Sequence, residues 1–448
     1  MKFLKSTLLF TIASCFLLSC QKQDLTVPSS TAAQAPATAL KKSHLASDVA
    51  NDWMEVLRTV VKMEGKTPPQ ASRIYAYAAI AMYEAVIPGF DKYQSLQGQV
   101  AGLPKMPKLT NKGKADFTVA GNEAIYQVAL KIFGTLKDAS RAKFDAIHDE
   151  YKDTSIAKED DLLNSITFGS DVAKAVLYRA DNDGFTTTRL LAYLVPSSTI
   201  NPAFWLPTSA ALTPLEPYWG TLKCFAMADG AACNIKSAIP FNTTINSPFF
   251  NQAVEVASTG SNLTESQKDI ALWWADGTGV TSTPPGHWVN IGAEIATQLD
   301  LDLGKTAEMF ALLNMTMADA FISCWNQKYQ YNLLRPITYI RKYIPGQSSW
   351  SSFIPTPPFP EYPSGHSVAS AAAANILTRL FGDLTFTDQS STTAVLTPRT
   401  YISFTEAAKE AALSRLYGGI HFREAIENGL KQGVEVGNAV AKNIKLKK

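Results

Sequence analysis

The chain has 448 residues, of which 46% are hydrophobic and 18% are charged, and its formal net charge at pH 7 is +2. This composition is typical of a folded globular protein and excludes an intrinsically disordered chain. A net charge so close to zero argues against general nucleic-acid binding, so any anion site requires a local group of cations. Beyond the N-terminal region no apolar run reaches about 18 residues, which excludes a multi-pass membrane protein.

Residues 1–19 predict an export signal, because Lys2 and Lys5 precede an apolar run that is too short for a comfortable membrane span. The run ends in Leu-Leu-Ser-Cys, which resembles the lipobox of bacterial lipoproteins and makes Cys20 the expected lipidated first residue of the mature chain. A simple secretory signal with a chance cysteine is the alternative. Residues 20–48 are rich in Ser, Thr, Ala and Pro and predict a flexible tether. We therefore expect an exported protein of the cell envelope that is attached to a membrane by the lipid alone.

Helical periodicity dominates the rest of the chain. Helical patterns occupy, in chain order, residues 49–64, 72–87, 121–136, 140–154, 159–181, 264–277, 288–301, 306–334, 405–422 and 422–444, with a further helix beginning near His366. Between about 185 and 250, prolines and tryptophans interrupt the pattern and predict a long irregular segment packed by aromatic side chains. We expect an all-α fold, a large helical bundle with long Pro-rich loops. An N-terminal helical region, 49–250, would precede a C-terminal helical domain, 251–448, that carries the site.

The cysteines do not form a disulfide framework. Cys224 and Cys233 are close in sequence and could form a bridge in an oxidising compartment, or they could remain two unpaired structural cysteines. Cys324 is expected to be a small buried side chain rather than a nucleophile.

Two cations stand at helical spacing in "KYQYNLLRP". Lys328 and Arg335 are two helical turns apart, so both can face the same way. Pro336 is expected to end that helix and to place Arg335 near its terminus. Taken alone, the pair could equally be part of a solvated helix face.

The stretch "PSGH" stands at the beginning of an Ala-rich helical pattern. A helix N-terminus presents unpaired N–H groups and partial positive charge, which suits an anion. Ser364 can donate from its hydroxyl, Gly365 lets backbone approach a ligand closely, and His366 can transfer a proton near neutral pH. The alternative is a Ser N-cap beside a polar histidine.

The third stretch is "SRLYGGIH". Its two glycines, Gly418 and Gly419, weaken a continuous helix, so a bend there can bring His421 towards Arg415. Together the three stretches supply three cations, neutral donors and two of the five histidines. This set suits a tetrahedral oxyanion such as phosphate or vanadate, and it does not suit a divalent cation, which prefers carboxylates or histidine clusters without arginine.

The spacing Lys-x6-Arg-Pro, then Pro-Ser-Gly-His, then Ser-Arg-x5-His resembles the superfamily of vanadium-dependent haloperoxidases and type-2 phosphatidic-acid-phosphatase-like acid phosphatases. The three complete motifs cover the C-terminal quarter, and a fainter similarity extends upstream. The resemblance implies that His421 bonds the vanadium of vanadate, or attacks phosphorus, and that His366 is the acid–base group. It implies that the vanadate or phosphate oxygens are held by the following residues: Lys328, Arg335, Ser364, Gly365 and Arg415. A looser match suggests that Asp276 pairs with Arg415; the alternative is a turn residue at a helix end.

The core motifs suit two activities. In a haloperoxidase, vanadate activates hydrogen peroxide, which oxidises a halide to hypohalous acid; in an acid phosphatase, no cofactor is needed and a phosphate monoester is hydrolysed through a phosphohistidine. Trp325 and Phe359 match the aromatic positions that line the halide pocket of chloroperoxidases in this superfamily, although each could be core packing. They favour the haloperoxidase. A non-catalytic oxyanion-binding lipoprotein is disfavoured by the complete pair His366 and His421, and His287 is expected to be a structural loop histidine beside Trp288.

Overall fold

The computed structural model describes residues 47–109, 112–209, 212–237, 239–390 and 396–448. The predicted export signal, the lipidation site Cys20 and most of the tether lie outside the described residues. The α-helices are, in chain order, α1 (Asp48–Met63), α2 (Pro68–Val86), α3 (Phe117–Phe133), α4 (Asp138–Asp153), α5 (Glu159–Asp181), α6 (Phe185–Thr188), α7 (Pro248–Ser261), α8 (Glu265–Trp273), α9 (Thr283–Gln298), α10 (Leu303–Tyr331), α11 (Pro336–Tyr343), α12 (Gly365–Phe381), α13 (Phe404–Tyr417) and α14 (Arg423–Asn443). Short 3-10 turns occupy Ile87–Gly89, Lys112–Lys114 and Trp219–Thr221.

The predicted all-α class is confirmed. The two short strands β1 (Phe386–Asp388) and β2 (Arg399–Tyr401) form an antiparallel pair, with Phe386 opposite Tyr401. The described residues belong to one compact unit, and the predicted domain division at residue 250 stays a prediction. None of the helices in the described ranges is long and apolar enough to cross a membrane.

The centre of the bundle is α10, which packs against α2, α9, α12 and α14. Both α2 and α10 are apolar or small on almost every face, which is the pattern of a helix buried on all sides. A second, smaller apolar cluster gathers side chains from α7, α11 and the α13–α14 region, including Phe249, Tyr339 and Phe422. It packs beneath the loop that carries His421 and therefore supports one wall of the site.

Two prolines that read as helix breakers in fact open helices. Pro248 is the first residue of α7 and Pro336 is the first residue of α11, positions where the missing N–H costs nothing and the fixed φ suits a helix. The prediction that one helix carries both Lys328 and Arg335 is therefore wrong. α10 ends at Tyr331, with Asn332 in the left-handed region at φ 47°, and Arg335 is the N-cap of α11.

The irregular segment between α6 and α7 packs on the end of α10, as its tryptophans suggested. Trp205 and Trp219 are buried, and the backbone of Leu215 hydrogen-bonds the carbonyl of Pro358. Cys224, Cys233 and Cys324 are buried free thiols, so the structure does not form the bridge that the spacing of the first two allowed.

Candidate active site

Lys328 lies in the last turn of α10 and is completely buried. Its Nζ donates to the carbonyl oxygens of Pro360 at 3.1 Å and Glu361 at 3.0 Å, and also to that of Pro363. Burial lowers the pKa of Lys328 to about 7. An ammonium group has three N–H donors, and these three carbonyls use all of them. Lys328 therefore stabilises the loop before α12 and contributes its charge, rather than a free N–H, to the site.

Arg335 is completely buried and contacts two loops, the one before α12 and the one after α13. Its Nε donates to the carbonyl of Phe359 at 2.9 Å, and its Nη1 donates to the carbonyl of Ile420 at 3.0 Å and to His421 Nε2 at 3.1 Å. Its Nη2 has no hydrogen-bond partner among the described residues. Burial lowers the pKa of Arg335 to about 10, and the charge of Glu361 opposes this shift.

His421 follows the glycine pair that ends α13, so the predicted bend is confirmed: Gly418 caps the helix and Gly419 has φ 75°. His421 Nδ1 lies 2.8 Å from Glu361 Oε1. The tautomer follows from the partners, because a carboxylate only accepts and a guanidinium only donates. Nδ1 therefore carries the proton, and the lone pair is on Nε2. Burial, and then the positive charge of Arg335, hold the pKa of His421 well below its usual value, so the ring is neutral.

The Ser-Gly-His stretch begins α12, as predicted. Ser364 is the N-cap, and its Oγ accepts from the N–H of Ser367 at 3.4 Å. A Cβ on Gly365 would stand 3.5 Å from Trp325 Cζ3 and 4.0 Å from Lys328 Cε, so even a methyl group here would occupy space beside the lysine. Glycine therefore leaves space beside Lys328 at the N-terminus of α12.

His366 lies in the first turn of α12 with its Nε2 buried and without a partner among the described residues. Burial, and then the charge of Arg415, hold its pKa well below the usual value, although a backbone hydrogen bond with Trp274 opposes the shift. Because Nε2 is unpartnered, that bond falls to Nδ1. Nε2 of a neutral ring is then available to accept a proton from a ligand.

Arg415 lies in the last turn of α13 and is buried beside the turn after α8. Its Nε donates to Ser414 Oγ at 2.9 Å, and its Nη2 donates to the carbonyls of Trp274 at 2.5 Å and Ala271 at 3.3 Å. Burial lowers the pKa of Arg415 to about 10, and the charge of Asp276 opposes this effect from a distance.

The pairing of Asp276 with Arg415 stays a prediction: the charge of Asp276 acts on Arg415, but the hydrogen bonds of its carboxylate go to other residues. Asp276 Oδ2 lies 3.0 Å from His287 Nδ1, and Oδ1 accepts from Thr281 Oγ1 at 3.4 Å. His287 is not a loop residue: it lies in the first turns of α9 and its Nε2 is 2.7 Å from Asp388 Oδ2. The Trp274 ring stacks on it with centroids 4.2 Å apart. Asp276 therefore belongs to a buried cluster next to the site, and it reaches Arg415 only through its field.

Trp325 and Phe359 stand together beside the cations, with ring centroids 5.0 Å apart. Lys328 Nζ is 5.1 Å and Arg335 Cζ is 4.8 Å from the centre of the Phe359 ring. The Trp325 indole donates to the carbonyl of Leu215 at 3.1 Å, so the irregular segment holds this wall in place. The arrangement is an apolar wall on one side of a cationic pocket.

The donors of this pocket fit a tetrahedral oxyanion. Three buried cations converge on two neutral histidines, and Arg335 Nη2 and His366 Nε2 have no partner within the described part of the chain. A buried guanidinium with an unused donor is costly, and a bound oxyanion removes that cost. Vanadate and phosphate both fit this set of residues.

Comparison with known proteins agrees with the geometry. The model of the second helical-bundle domain of vanadium chloroperoxidase matches residues 308–447, which include all three motifs. A solved bacterial vanadium-dependent iodoperoxidase is 31% identical, with a TM-score of 0.83, and the match covers 90% of this chain and 98% of that one. The chain belongs to the vanadium haloperoxidase family.

Other relatives agree over a smaller extent or on the fold alone. Vanadium chloroperoxidase of Curvularia inaequalis is 30% identical over 133 residues, and the chain covers 22% of that relative's length. The apo and holo structures of a bacterial vanadium-dependent chloroperoxidase align with TM-scores of 0.65 and 0.66 at 17% and 16% identity, over 83% and 86% of this chain and 93% and 95% of theirs, and they show the shared fold. The choice of haloperoxidase over acid phosphatase is thus confirmed at the level of the family.

Sequence reasoning missed two carboxylates and one histidine role in this region. Glu361 lies in the Pro-rich loop before α12 and accepts a hydrogen bond from His421, although no local sequence pattern indicates that contact. Asp388 lies on β1, outside the three motifs, and its Oδ2 contacts His287 in the buried cluster next to the site. The signal that could have found Glu361 was a lone charged residue between prolines in a loop that must pack against the pocket.

Proposed function

We propose that this chain is a vanadate-dependent haloperoxidase that uses hydrogen peroxide to oxidise iodide to hypoiodous acid. One observation carries the proposal: a buried cradle of three cations in which Arg335 Nη2 has no partner among the described residues and the lone pair of His421 Nε2 faces Arg335 Nη1 at 3.1 Å. Iodide is favoured because the relative that is similar over 90% of this chain is an iodoperoxidase.

Vanadate, when bound, supplies a Lewis acid that activates hydrogen peroxide towards a halide. Arg335, Arg415 and Lys328 would balance the charge of its oxygens, and His421 Nε2 would be its protein ligand. Ser364 and the N–H of Gly365 would support the same oxygens at the start of α12.

The remaining side chains handle the proton and the halide. His366 Nε2 has no partner among the described residues and its ring is neutral, so this nitrogen could take a proton from hydrogen peroxide and return it to the oxygen that leaves as water. Trp325 and Phe359 exclude water and lower the cost of holding a partly desolvated halide next to the cations.

The decisive experiment uses the chain without residues 1–20, stripped of metal and then incubated with orthovanadate. Halogenation of a phenol with peroxide is measured for iodide, bromide and chloride, with His148→Ala as a control for a histidine far from the pocket. We expect vanadate-dependent iodination that the control retains. Absence of halogenation with every halide would overturn the proposal.

The same cradle would bind a phosphate monoester, since the resemblance to phosphatidic-acid-phosphatase-like enzymes concerns the same residues. Hydrolysis of p-nitrophenyl phosphate without vanadate, inhibited by added vanadate and with no halogenation, would assign the site to a phosphatase.

We also propose that the protein is an exported lipoprotein of the cell envelope, anchored through Cys20. The proposal rests on the Leu-Leu-Ser-Cys stretch at the end of the apolar N-terminal run. Metabolic labelling with a radioactive fatty acid should mark the full chain and not the Cys20→Ser variant. Equal labelling of both proteins would rule out lipidation at this cysteine.

A further inference from the structure

Glu361 is a buried carboxylate directly behind His421. It is completely buried, and its Oε1 accepts from His421 Nδ1 at 2.8 Å and from the N–H of Phe422 at 2.9 Å. Its backbone is fixed from both sides, because its N–H donates to the carbonyl of Leu333 at 2.8 Å and its carbonyl accepts from Lys328 at 3.0 Å. Two hydrogen bonds to Oε1 therefore hold the carboxylate against His421 Nδ1, while Oε2 has no partner among the described residues.

A carboxylate on the N–H of a ligating histidine makes the opposite nitrogen a stronger electron donor. In this chain the opposite nitrogen is Nε2, the atom that faces Arg335 and the cradle. Burial raises the pKa of Glu361 to about 7, and the charges of Arg335 and Lys328 oppose this shift. Because Oε1 accepts from His421 Nδ1 at 2.8 Å, the carboxylate acts on the cradle through His421.

Electron donation from His421 has a direct consequence for the halide. In H2O2 + I⁻ + H⁺ → HOI + H2O, the halide gives up an electron pair to form an O–I bond, the O–O bond breaks, and the second oxygen leaves as water. Iodide gives up that pair most easily and chloride least easily. A stronger donor on the oxyanion lowers its power to draw electrons from peroxide, so the harder halides are affected first.

We propose that Glu361 sets the halide range of this site, acting through His421 to restrict oxidation to iodide. The inference rests on the proposed function and adds a specificity-determining residue to it. Glu361 does not touch the oxyanion or the halide, so it is a positioning residue for His421.

The test compares Glu361→Gln with Glu361→Asp. The glutamine keeps an acceptor oxygen for His421 Nδ1 and Phe422 but removes the charge, while the aspartate keeps the charge. For Glu361→Gln we expect vanadate to bind roughly 10–100-fold more weakly in calorimetry, the range for removing a partner of a metal ligand. We expect the ratio of kcat/KM for bromide to that for iodide, measured with saturating vanadate, to rise about tenfold. Glu361→Asp should keep the wild-type ratio.

Glu427→Gln is the matched control, because it removes another carboxylate from α14, where Glu427 Oε1 lies 4.0 Å from Arg423 Nη1 rather than against His421. Its halide ratio should equal that of the wild type. If Glu361→Gln lowers iodide and bromide oxidation equally, or binds vanadate as tightly as the wild type does, the inference is wrong. A wild-type protein that binds vanadate but oxidises no halide would instead overturn the proposed function, and the calorimetric comparison would still report whether Glu361 acts through His421.

Discussion

Two buried histidines with carboxylate partners lie in or beside this site, and they differ in protonation. His421 is neutral, whereas His287 is protonated. His421 and His287 are 2% and 3% exposed, so burial does not distinguish them. His421 has Glu361 on one nitrogen and the donor Nη1 of Arg335 on the other. His287 has a carboxylate on each nitrogen. Burial alone would lower the pKa of His287, but the negative charges of Asp276 and Asp388 outweigh it and raise the pKa to about 10.

Because both rings are buried alike, the difference between them comes from the neighbouring charges. A ring with a cation on one side keeps a lone pair and can act as a ligand or a base. A ring between two acceptors must carry both protons, so it becomes a fixed cation that ties two carboxylates together. The first arrangement suits a ligand or a base. The second stabilises the buried cluster that packs against Trp274.

The largest effect is expected when the lone pair itself is removed. His421→Ala should abolish vanadate-dependent halide oxidation, because no other neutral nitrogen faces Arg335 in the described part of the pocket. Vanadate binding measured by calorimetry should fall by more than about 100-fold, beyond the range for partners of a metal ligand. His148→Ala, on α4 and bonded to Glu123, is the control and should bind vanadate normally. Tight vanadate binding by His421→Ala would contradict the assignment of Nε2 as the ligand.

At His287 we expect a substitution to lower the stability of the fold rather than to remove a ligand of the site. His287→Ala leaves Asp276 and Asp388 buried without their shared cation. The free energy of unfolding should fall by about 3–5 kcal/mol, as when one partner of a buried ion pair is removed. Chemical denaturation of both variants checks this, and His421→Ala should lose less, because its ring is neutral. Equal losses at the two histidines would remove the distinction between them.

The raised pKa of His287 also predicts that its contribution to stability decreases as the pH rises. The folded pKa of His287 is raised from 6.5 to about 10, so its contribution is fully present below pH 6.5 and is lost as the pH rises towards 10. Burial raises the pKa of Asp388, but His287 outweighs it and lowers that pKa, so Asp388 titrates below this window. The difference in unfolding free energy between the wild type and His287→Ala should therefore shrink between about pH 6 and pH 10. A difference that stays constant would mean that His287 is neutral when folded.

Much of the site could be predicted because its cations and histidines stand in three short stretches. Arg335 and Arg415 were found by residue type and spacing, and α5 spans Glu159–Asp181 as the periodicity indicated. The Ser-Gly-His stretch was recognisable as a helix start because Ser364 caps the helix and an apolar pattern follows. Local signals of this kind need no knowledge of the rest of the fold.

The contacts that set protonation could not be predicted, because they join distant parts of the chain. Glu361 and His421 are 60 residues apart, and His287 and Asp388 are 101 apart. Nothing local indicates which carboxylate meets which ring. The helix end predicted at Pro336 was wrong for a different reason. A proline can follow the end of one helix or begin the next, and which of the two occurs depends on where the preceding helix ends.

The smallest expected effect concerns the apolar wall that distinguishes the catalytic pocket from the His287 cluster. Phe359→Ala removes a ring that lies 5.1 Å from Lys328 Nζ and 4.8 Å from Arg335 Cζ. The KM for iodide should rise about two- to fivefold, the size of one cation–π contact, while vanadate affinity changes little. Phe353→Ala, a more exposed phenylalanine in the same loop, is the matched control and should change neither quantity. If Phe359→Ala weakened vanadate and iodide to the same extent, its ring would support the cradle as a whole, and the pocket would have no separate wall for the halide.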